Sequence, residues 1–119
     1  MRVRGLRGAI TVAADDAGAI REATEELLKE MLERNSVASE DLVSVVFTAT
    51  PDLTAGFPAE AARALGISDV PLLCASEIAV PDALPRCVRV LMHVYTELDR
   101  GSLRHVYLRG AEVLRTDLR

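Results

Sequence analysis

Two hydrophobic periods alternate along the chain, and the switches between them mark its elements. In MRVRGLRGAITV, Val3, Leu6, Ile10 and Val12 are strand formers, while Gly5 and Gly8 let a neighbour pack close to the backbone; this predicts a first, buried strand. The period then lengthens. Ile20, Ala23, Leu27, Leu28, Met31 and Leu32 recur at spacings of three and four, one apolar stripe of a helix over about residues 17–34. Asp15 and Asp16 are its candidate N-caps, and Asn35 ends it. The opposite stripe of Glu22, Glu25, Glu26, Lys29 and Glu33 is a solvated face, and Ser39 caps a short turn through Asp41 and Leu42.

VSVVFTA (43–49) reads as a second buried strand, followed by the loop TPDLTAGFP with Pro51 and Gly56 as breakers. PAEAARALG predicts a short helix opened by Pro58 and closed by Gly66. VPLLCA gives a strand over about 70–75, then a loop holding Glu77, Pro81 and Pro85, then a long strand over about 86–96. RHVYLRGAEVLR predicts a strand at 105–109, a bend at Gly110 and a last strand at 111–115. The order β-α-β-α-β-β-β-β, with five or so strands and one long helix, predicts an α/β or α+β domain with a mixed sheet. With no repeat, linker or low-complexity stretch, residues 1–119 read as a single domain.

One long helix covers only one face of such a sheet. The other face is left apolar, and large exposed apolar patches mark association. The expectation is a homo-oligomer that buries the second face, with closed cyclic symmetry as the usual solution.

Composition narrows the partners. Half of the 119 residues are hydrophobic but only 3% are aromatic, so the core is aliphatic and Phe47, Phe57, Tyr95 and Tyr107 stand out. A net charge of −4 gives no general attraction to nucleic acid or anionic membranes, and so few aromatics offer no platform for stacking bases. Of the 14 basic residues all but Lys29 are arginine, so a basic ligand contact is a guanidinium, suited to a two-pronged grip on carboxylate or phosphate. Cys74 and Cys87 lack CxxC spacing, and His93 and His105 lack ligand spacing to either, which argues against a metal. The N-terminus shows no signal-peptide pattern and no apolar run reaches 18 residues, so the expected location is the cytoplasm.

Alternation along RCVRVLMHVYTEL puts Cys87, Arg89, Leu91, His93 and Tyr95 on one face and Val88, Val90, Met92 and Val94 on the other. Arg89 therefore sits mid-strand. Arg7 shares a face with Val3, Gly5 and Ala9, His105 and Tyr107 alternate with Val106, and Glu77 follows a strand end directly. Each has an ordinary structural reading: Arg89 and Glu77 as a buried ion pair, His105 as a satisfied core histidine, Tyr107 as an interface anchor. Together, several polar groups at strand positions in so apolar a chain need partners, which a dicarboxylate ligand would supply. There is no Ser/His/Asp or Cys/His nucleophile motif, and GLRGA is not a phosphate loop. The residues alone lead to a small oligomeric domain that binds a small anion.

The segments RGLRGAITV, TATPDLTAGFPAEAAR, VPLLCASEI, LPRCVRVLMH and RHVYLRGAEVLRTDL, in that order over the whole length, resemble the monofunctional chorismate mutases of the bacterial homotrimeric type. The resemblance implies a trimeric pseudo-α/β barrel built from a mixed five-stranded sheet, one long helix and one short helix per chain, with active sites between subunits. It implies the pericyclic rearrangement of chorismate to prephenate, in the shikimate route to phenylalanine and tyrosine, with no cofactor or metal. It assigns Arg89 to the ether oxygen and a carboxylate, Arg7 and Tyr107 to the enolpyruvyl carboxylate, and Glu77 with Cys74 to the ring hydroxyl. Phe57, Ala59, Arg63, Leu72, Leu73 and Leu114 would line the pocket, with Arg115 near its mouth and Phe57 to Arg63 contributed by the subunit next to the one giving Arg7 and Arg89.

On this reading Gly5 and Gly8 give Arg7 room, and Arg2 and Arg4 are solvated charges. Two departures stand out. Glu60 occupies a position where some members carry lysine, so it is left out of the site, and the chain ends at Arg119 where some relatives extend further, which implies weaker retention of substrate or a larger closing role for Arg115. Two other classes remain as alternatives: a trimeric enamine/imine deaminase, which also uses an interface arginine, and a non-catalytic sensor of aromatic-pathway metabolites, which turnover would distinguish. A purely structural trimer would leave Arg7, Arg89 and Tyr107 buried without purpose.

Overall fold

The computed structural model describes residues 1–118, with side chains as far as Arg115. Strands β1 (Arg2–Thr11), β2 (Leu42–Ala49), β3 (Leu72–Ser76), β4 (Cys87–Thr96) and β5 (Val106–Leu108) join helices α1 (Ala17–Arg34) and α2 (Glu60–Ala64) in the order β1-α1-β2-α2-β3-β4-β5. Short 3₁₀ turns lie at Ser39–Asp41 and Arg100–Ser102, and a longer 3₁₀ segment spans Arg109–Leu118. The five strands form one mixed sheet, as expected, and their order in it is β3-β2-β4-β1-β5. The β2-α2-β3 crossover makes β2 and β3 parallel; β4 runs antiparallel to both β2 and β1, and β5 adds in parallel to β1.

One face of this sheet is covered by α1. Ile20, Ala23, Leu27, Leu28 and Met31 are buried against Leu6, Ile10, Val45, Phe47, Val88, Val90, Met92 and Val94. Each large aliphatic side chain so buried contributes about 1.5–3 kcal/mol before the entropy of ordering it is charged. The buried Thr24 satisfies its hydroxyl by donating to the Ile20 carbonyl one turn back, at 2.7 Å. Gly8 belongs to this packing. A Cβ there would lie 2.5 Å from the Met31 sulfur and 3.0 Å from a Leu27 methyl, so its role is close helix approach, while Gly5 meets only ordinary contact with Leu91. The expected service of these glycines to Arg7 is thus corrected.

Both ends of α1 are tied down. Asp16 is the N-cap, its carboxylate accepting from the Ala19 N–H at 2.9 Å. Asn35 at the C-terminal end is buried; its amide donates to the Met31 and Arg104 carbonyls and accepts from the Arg104 N–H, fastening the helix to the lead-in to β5. Asp15 does something else. Its carboxylate accepts from the Thr54 N–H, the Thr54 hydroxyl and the Ala55 N–H at 2.7–2.9 Å, holding the 50–58 loop. Asp52 holds the same loop from within, accepting from the Thr50 hydroxyl and from the N–H of Arg86, just ahead of β4. α2 closes at Gly66, whose φ of +81° suits glycine after a helix end.

Four expectations need correction. Residues 111–115 form no strand. Arg109 takes a left-handed φ of 53° and turns the chain, Gly110 donates to the Thr11 hydroxyl at 3.0 Å, and Ala111 and Leu114 then face the sheet three residues apart, the period of a 3₁₀ helix. The apolar residues there, Ala111, Val113 and Leu114, never alternated strictly. Ala38, not Ser39, precedes the Ser39–Asp41 turn, and no side chain caps it. Arg4 is partly buried and donates through Nε to the Leu98 carbonyl at 3.4 Å, and Glu26 on the solvated helix face pairs with Arg109 at 2.9 Å.

The second sheet face is only partly covered. At one end the 3₁₀ segment crosses it, and Ala9, Cys87 and Ala111 form a small buried cluster with Tyr107 and Leu114 around it. Elsewhere Leu73 is 63%, Val3 50%, Tyr95 47% and Leu91 40% exposed.

The Asp15 anchor is pH-sensitive with a definite sign. Hydrogen bonds from the Thr54 side chain, the Thr54 N–H and the Ala55 N–H hold its carboxyl below its ordinary 3.8. A depressed folded value stabilises the protein above the unfolded value and is lost as pH falls through the folded one. Asp15→Ala is expected to melt below wild type at pH 7, with the gap closing as pH drops under 3.8 in thermal melts across a pH series.

Candidate active site

Strand register brings the candidate polar residues together on the open face. Thr48, Arg89, Ala9 and Tyr107 form one row across β2, β4, β1 and β5, and Val46, Leu91 and Arg7 form the next. A cleft of about 300 Å³ opens there, lined by Arg7, Ala9, Thr48, Arg89, Tyr107 and Leu114 among others. Strands supply its floor and cations, and the 3₁₀ segment supplies Leu114 as a wall. Arg7 and Arg89 sit on neighbouring strands, so their placement is as rigid as the sheet.

Glu77 lies one residue beyond β3, and its N–H continues the ladder by donating to the Ala49 carbonyl at 2.9 Å. That bond aims its carboxylate into the open face. Oε2 accepts from the Thr48 hydroxyl at 2.5 Å and lies 3.3 Å from the Arg89 Nε. The ion pair expected from the sequence is therefore present but not buried: the Arg89 side chain is 45% exposed and that of Glu77 18%. Among the described residues no carboxylate pairs with Arg7. Beneath them burial pushes the Cys87 thiol up to about 11, although the Arg89 charge pulls the other way, so this thiol is no nucleophile at neutral pH. The cleft offers two guanidiniums and a phenol to a ligand, with one carboxylate fixing one guanidinium: the donor set of an anion site.

Other expected residues stand apart. Phe57, 70% exposed, and Cys74 line a second depression of about 330 Å³ with Leu53, Thr54, Pro58 and Ser76. Leu72 and Cys74 pack against the helix-side core, while Leu73 alternates to the open face. Within one chain, then, Cys74 and Glu77 serve different hollows. Ala59 is buried next to α2, Arg63 is exposed with its Nη1 held at 2.5 Å by Glu60, and Arg115 is exposed on the 3₁₀ segment.

Residues 3–118 match the family model described as chorismate mutase type I. The chain belongs to that family. It is 56% identical to "Chorismate mutase AroH" of Thermus thermophilus over 117 residues, covering 98% of this chain and 96% of that one. It is 44% identical to "Chorismate mutase AroH" of Bacillus subtilis (strain 168), covering 99% and 94% respectively. Among solved structures it superimposes on a chorismate mutase from Clostridium thermocellum with a TM-score of 0.91 and 47% identity, covering 92% of this chain and 98% of that chain. The expected fold, family and enzyme class are those found: this is a chorismate mutase, an isomerase, and the deaminase alternative is removed.

One residue of this candidate site escaped sequence reasoning, and one residue beside it was named without its partner. Thr48, the donor to Glu77, is a polar interruption of VSVVFTA, and alternation from Val46 would have placed it beside Arg89. His105 was legible as a satisfied histidine but not its partner, the Arg7 N–H, at 3.0 Å.

Removing the Thr48 hydroxyl leaves Glu77 held by Arg89 alone. A hydrogen bond to a charged group is worth about 1.5–3 kcal/mol, and partial exposure puts this one at the low end, so Thr48→Val should cost roughly tenfold in kcat/KM. Steady-state kinetics on chorismate, with circular dichroism to confirm the fold, measures it.

Proposed function

We propose that this mutase binds the dianion chorismate in the Arg7–Arg89–Tyr107 cleft and rearranges it to prephenate by electrostatic stabilisation and positioning. The observation that carries the reading is the gathering of Arg7, Arg89, Tyr107 and Glu77 around one cleft in a chain of this family. As the ether C–O bond stretches, negative charge grows on that oxygen and positive charge on the ring. A guanidinium already aimed at the oxygen is better matched to the transition state than to the ground state. Glu77 engages Nε of Arg89, which leaves the terminal nitrogens for the ether oxygen and a carboxylate. Arg7 and Tyr107 hold the other carboxylate, and together these grips keep the substrate compact, with its reacting carbons close. No proton transfer or nucleophile is needed, in keeping with the inert Cys87 thiol.

The site is completed in a homotrimer. Each chain presents two incomplete hollows, one cationic and one lined by Phe57 and Cys74, and an open sheet face with Val3, Leu73, Leu91 and Tyr95 exposed. In the trimer the Phe57, Ala59 and Arg63 side of one subunit faces Arg7 and Arg89 of the next, with Cys74 entering from the Phe57 side to meet the ring hydroxyl alongside Glu77. Leu73 and Leu114 wall the pocket and Arg115 stands at its mouth, while Leu72, turned to the helix-side core, is not part of the wall. Glu60 neutralises much of the Arg63 charge, so Arg7 and Arg89 carry the main grip on the dianion. One domain spans residues 1–119, working in the cytoplasm; no helix among the described residues is long and apolar enough to cross a membrane.

Wild type should convert chorismate to prephenate, and Arg89→Ala, folded and of unchanged oligomeric state, should lose on the order of 10²–10³ in kcat. Arg89→Lys should fail nearly as badly, since an ammonium cannot serve two acceptors as a fork. Binding of chorismate without turnover would sink the catalytic reading and leave a sensor. Sedimentation equilibrium should give three times the 12.9 kDa chain mass, and Val3→Asp on the open face should break the assembly and the activity together.

A further inference from the structure

β5 begins one residue too late to serve Arg7. Its register on β1 runs Gly8 to Val106, Ala9 to Tyr107 and Ile10 to Leu108, and stops there. The next β1 position is Arg7, and its N–H donates to the Nδ1 of the His105 side chain at 3.0 Å. A ring nitrogen thus extends the hydrogen bonding of the sheet by one rung, on the residue whose guanidinium pairs with no carboxylate among the described residues. An accepting Nδ1 carries no proton, so the ring is the neutral tautomer with hydrogen on Nε2. The surroundings agree: burial first, then the Arg7 charge, hold this imidazole below its ordinary 6.5.

We infer that His105 is a positioning residue for Arg7, its Nδ1 fixing the β1 backbone at the residue whose guanidinium grips the substrate carboxylate. The inference rests on the reading of Arg7 given above. His105 does not line the cleft; it acts through the backbone of the residue that does. A grip made in ground and transition states alike appears mainly in KM, so loosening it should raise KM more than it lowers kcat.

The test is a double-mutant cycle on the full-length enzyme with chorismate as substrate. His105→Leu removes the acceptor and should raise KM roughly three- to tenfold, the effect of one ordinary hydrogen bond. His105→Asn places Oδ1 close to where Nδ1 stood and should stay near wild type. In an Arg7→Ala background His105→Leu should cost nothing further. Equal losses from His105→Leu with and without Arg7, or His105→Asn as impaired as His105→Leu, would overturn the positioning role. Arg7→Ala with unchanged kinetics would instead sink the assignment of Arg7 itself. Nitrogen-15 spectra of the wild-type imidazole need no variant to fold: an unprotonated Nδ1 at neutral pH is expected, and a protonated one overturns the inference.

Discussion

A five-stranded sheet served by one long helix has one face covered and one face open, and the rest of the molecule is organised by that imbalance. The covered face takes the apolar residues of β1, β2 and β4, Phe47 among them, and the stripe of α1. The described residues do not fill the open face: α2 has only five residues, and the 3₁₀ segment covers one end of the sheet. What is left is a surface where apolar and cationic side chains alternate with the pleat. Val3, Leu91 and Tyr95 stay exposed on it, the kind of apolar surface that the proposed trimer would bury.

The same openness makes an anion site affordable. Two arginines in a closed core would each need a carboxylate, and a chain that supplied both would leave nothing for a ligand. Here one carboxylate, that of Glu77, goes to Arg89, and the strand-end N–H to Ala49 together with the Thr48 hydroxyl sets its direction. Arg7, unpaired with any carboxylate among the described residues, is the guanidinium that the proposed mechanism gives to the substrate. In an acidic protein the cationic potential is thus local and made by placement on adjacent strands, with global charge working against it.

What the sequence made legible follows from periodicity. The alternation in RCVRVLMHVYTEL identified the face of Arg89, and the stripe from Ile20 to Met31 identified the helix and its buried residues. Both signals are local and repeat over many residues, so they survive in a one-dimensional reading. The failures are of another kind. Gly8 answers to Met31, Asp15 to Thr54, and His105 to Arg7, contacts spanning 23, 39 and 98 positions that leave no periodic trace. The last strand failed because one left-handed residue, Arg109, redirects a segment whose composition alone suits a strand. The separation of Cys74 from Glu77 across the β3 edge is readable from parity, but only once the strand bounds are known. The resemblance to a family carried the chemistry, and the geometry explains why those residue types meet.

The apolar walls of the two hollows are held differently from their charges. Arg7 and Arg89 are built into paired strands, whereas Phe57 and Leu114 ride on segments without a ladder of their own. Each such segment is fastened by a few polar contacts: the 50–58 loop by the carboxylates of Asp15 and Asp52, and the 3₁₀ segment by Thr11 through Gly110 and by Glu26 through Arg109. Those contacts are largely exposed, so each is individually weak. The division suits the reaction. A developing charge needs donors that do not move as it forms, while a compact substrate needs walls that admit it and then press on it. On the proposed mechanism the first sit on the sheet and the second on pinned segments, so a change at Asp15, Asp52 or Glu26 reaches the walls without touching Arg7 or Arg89.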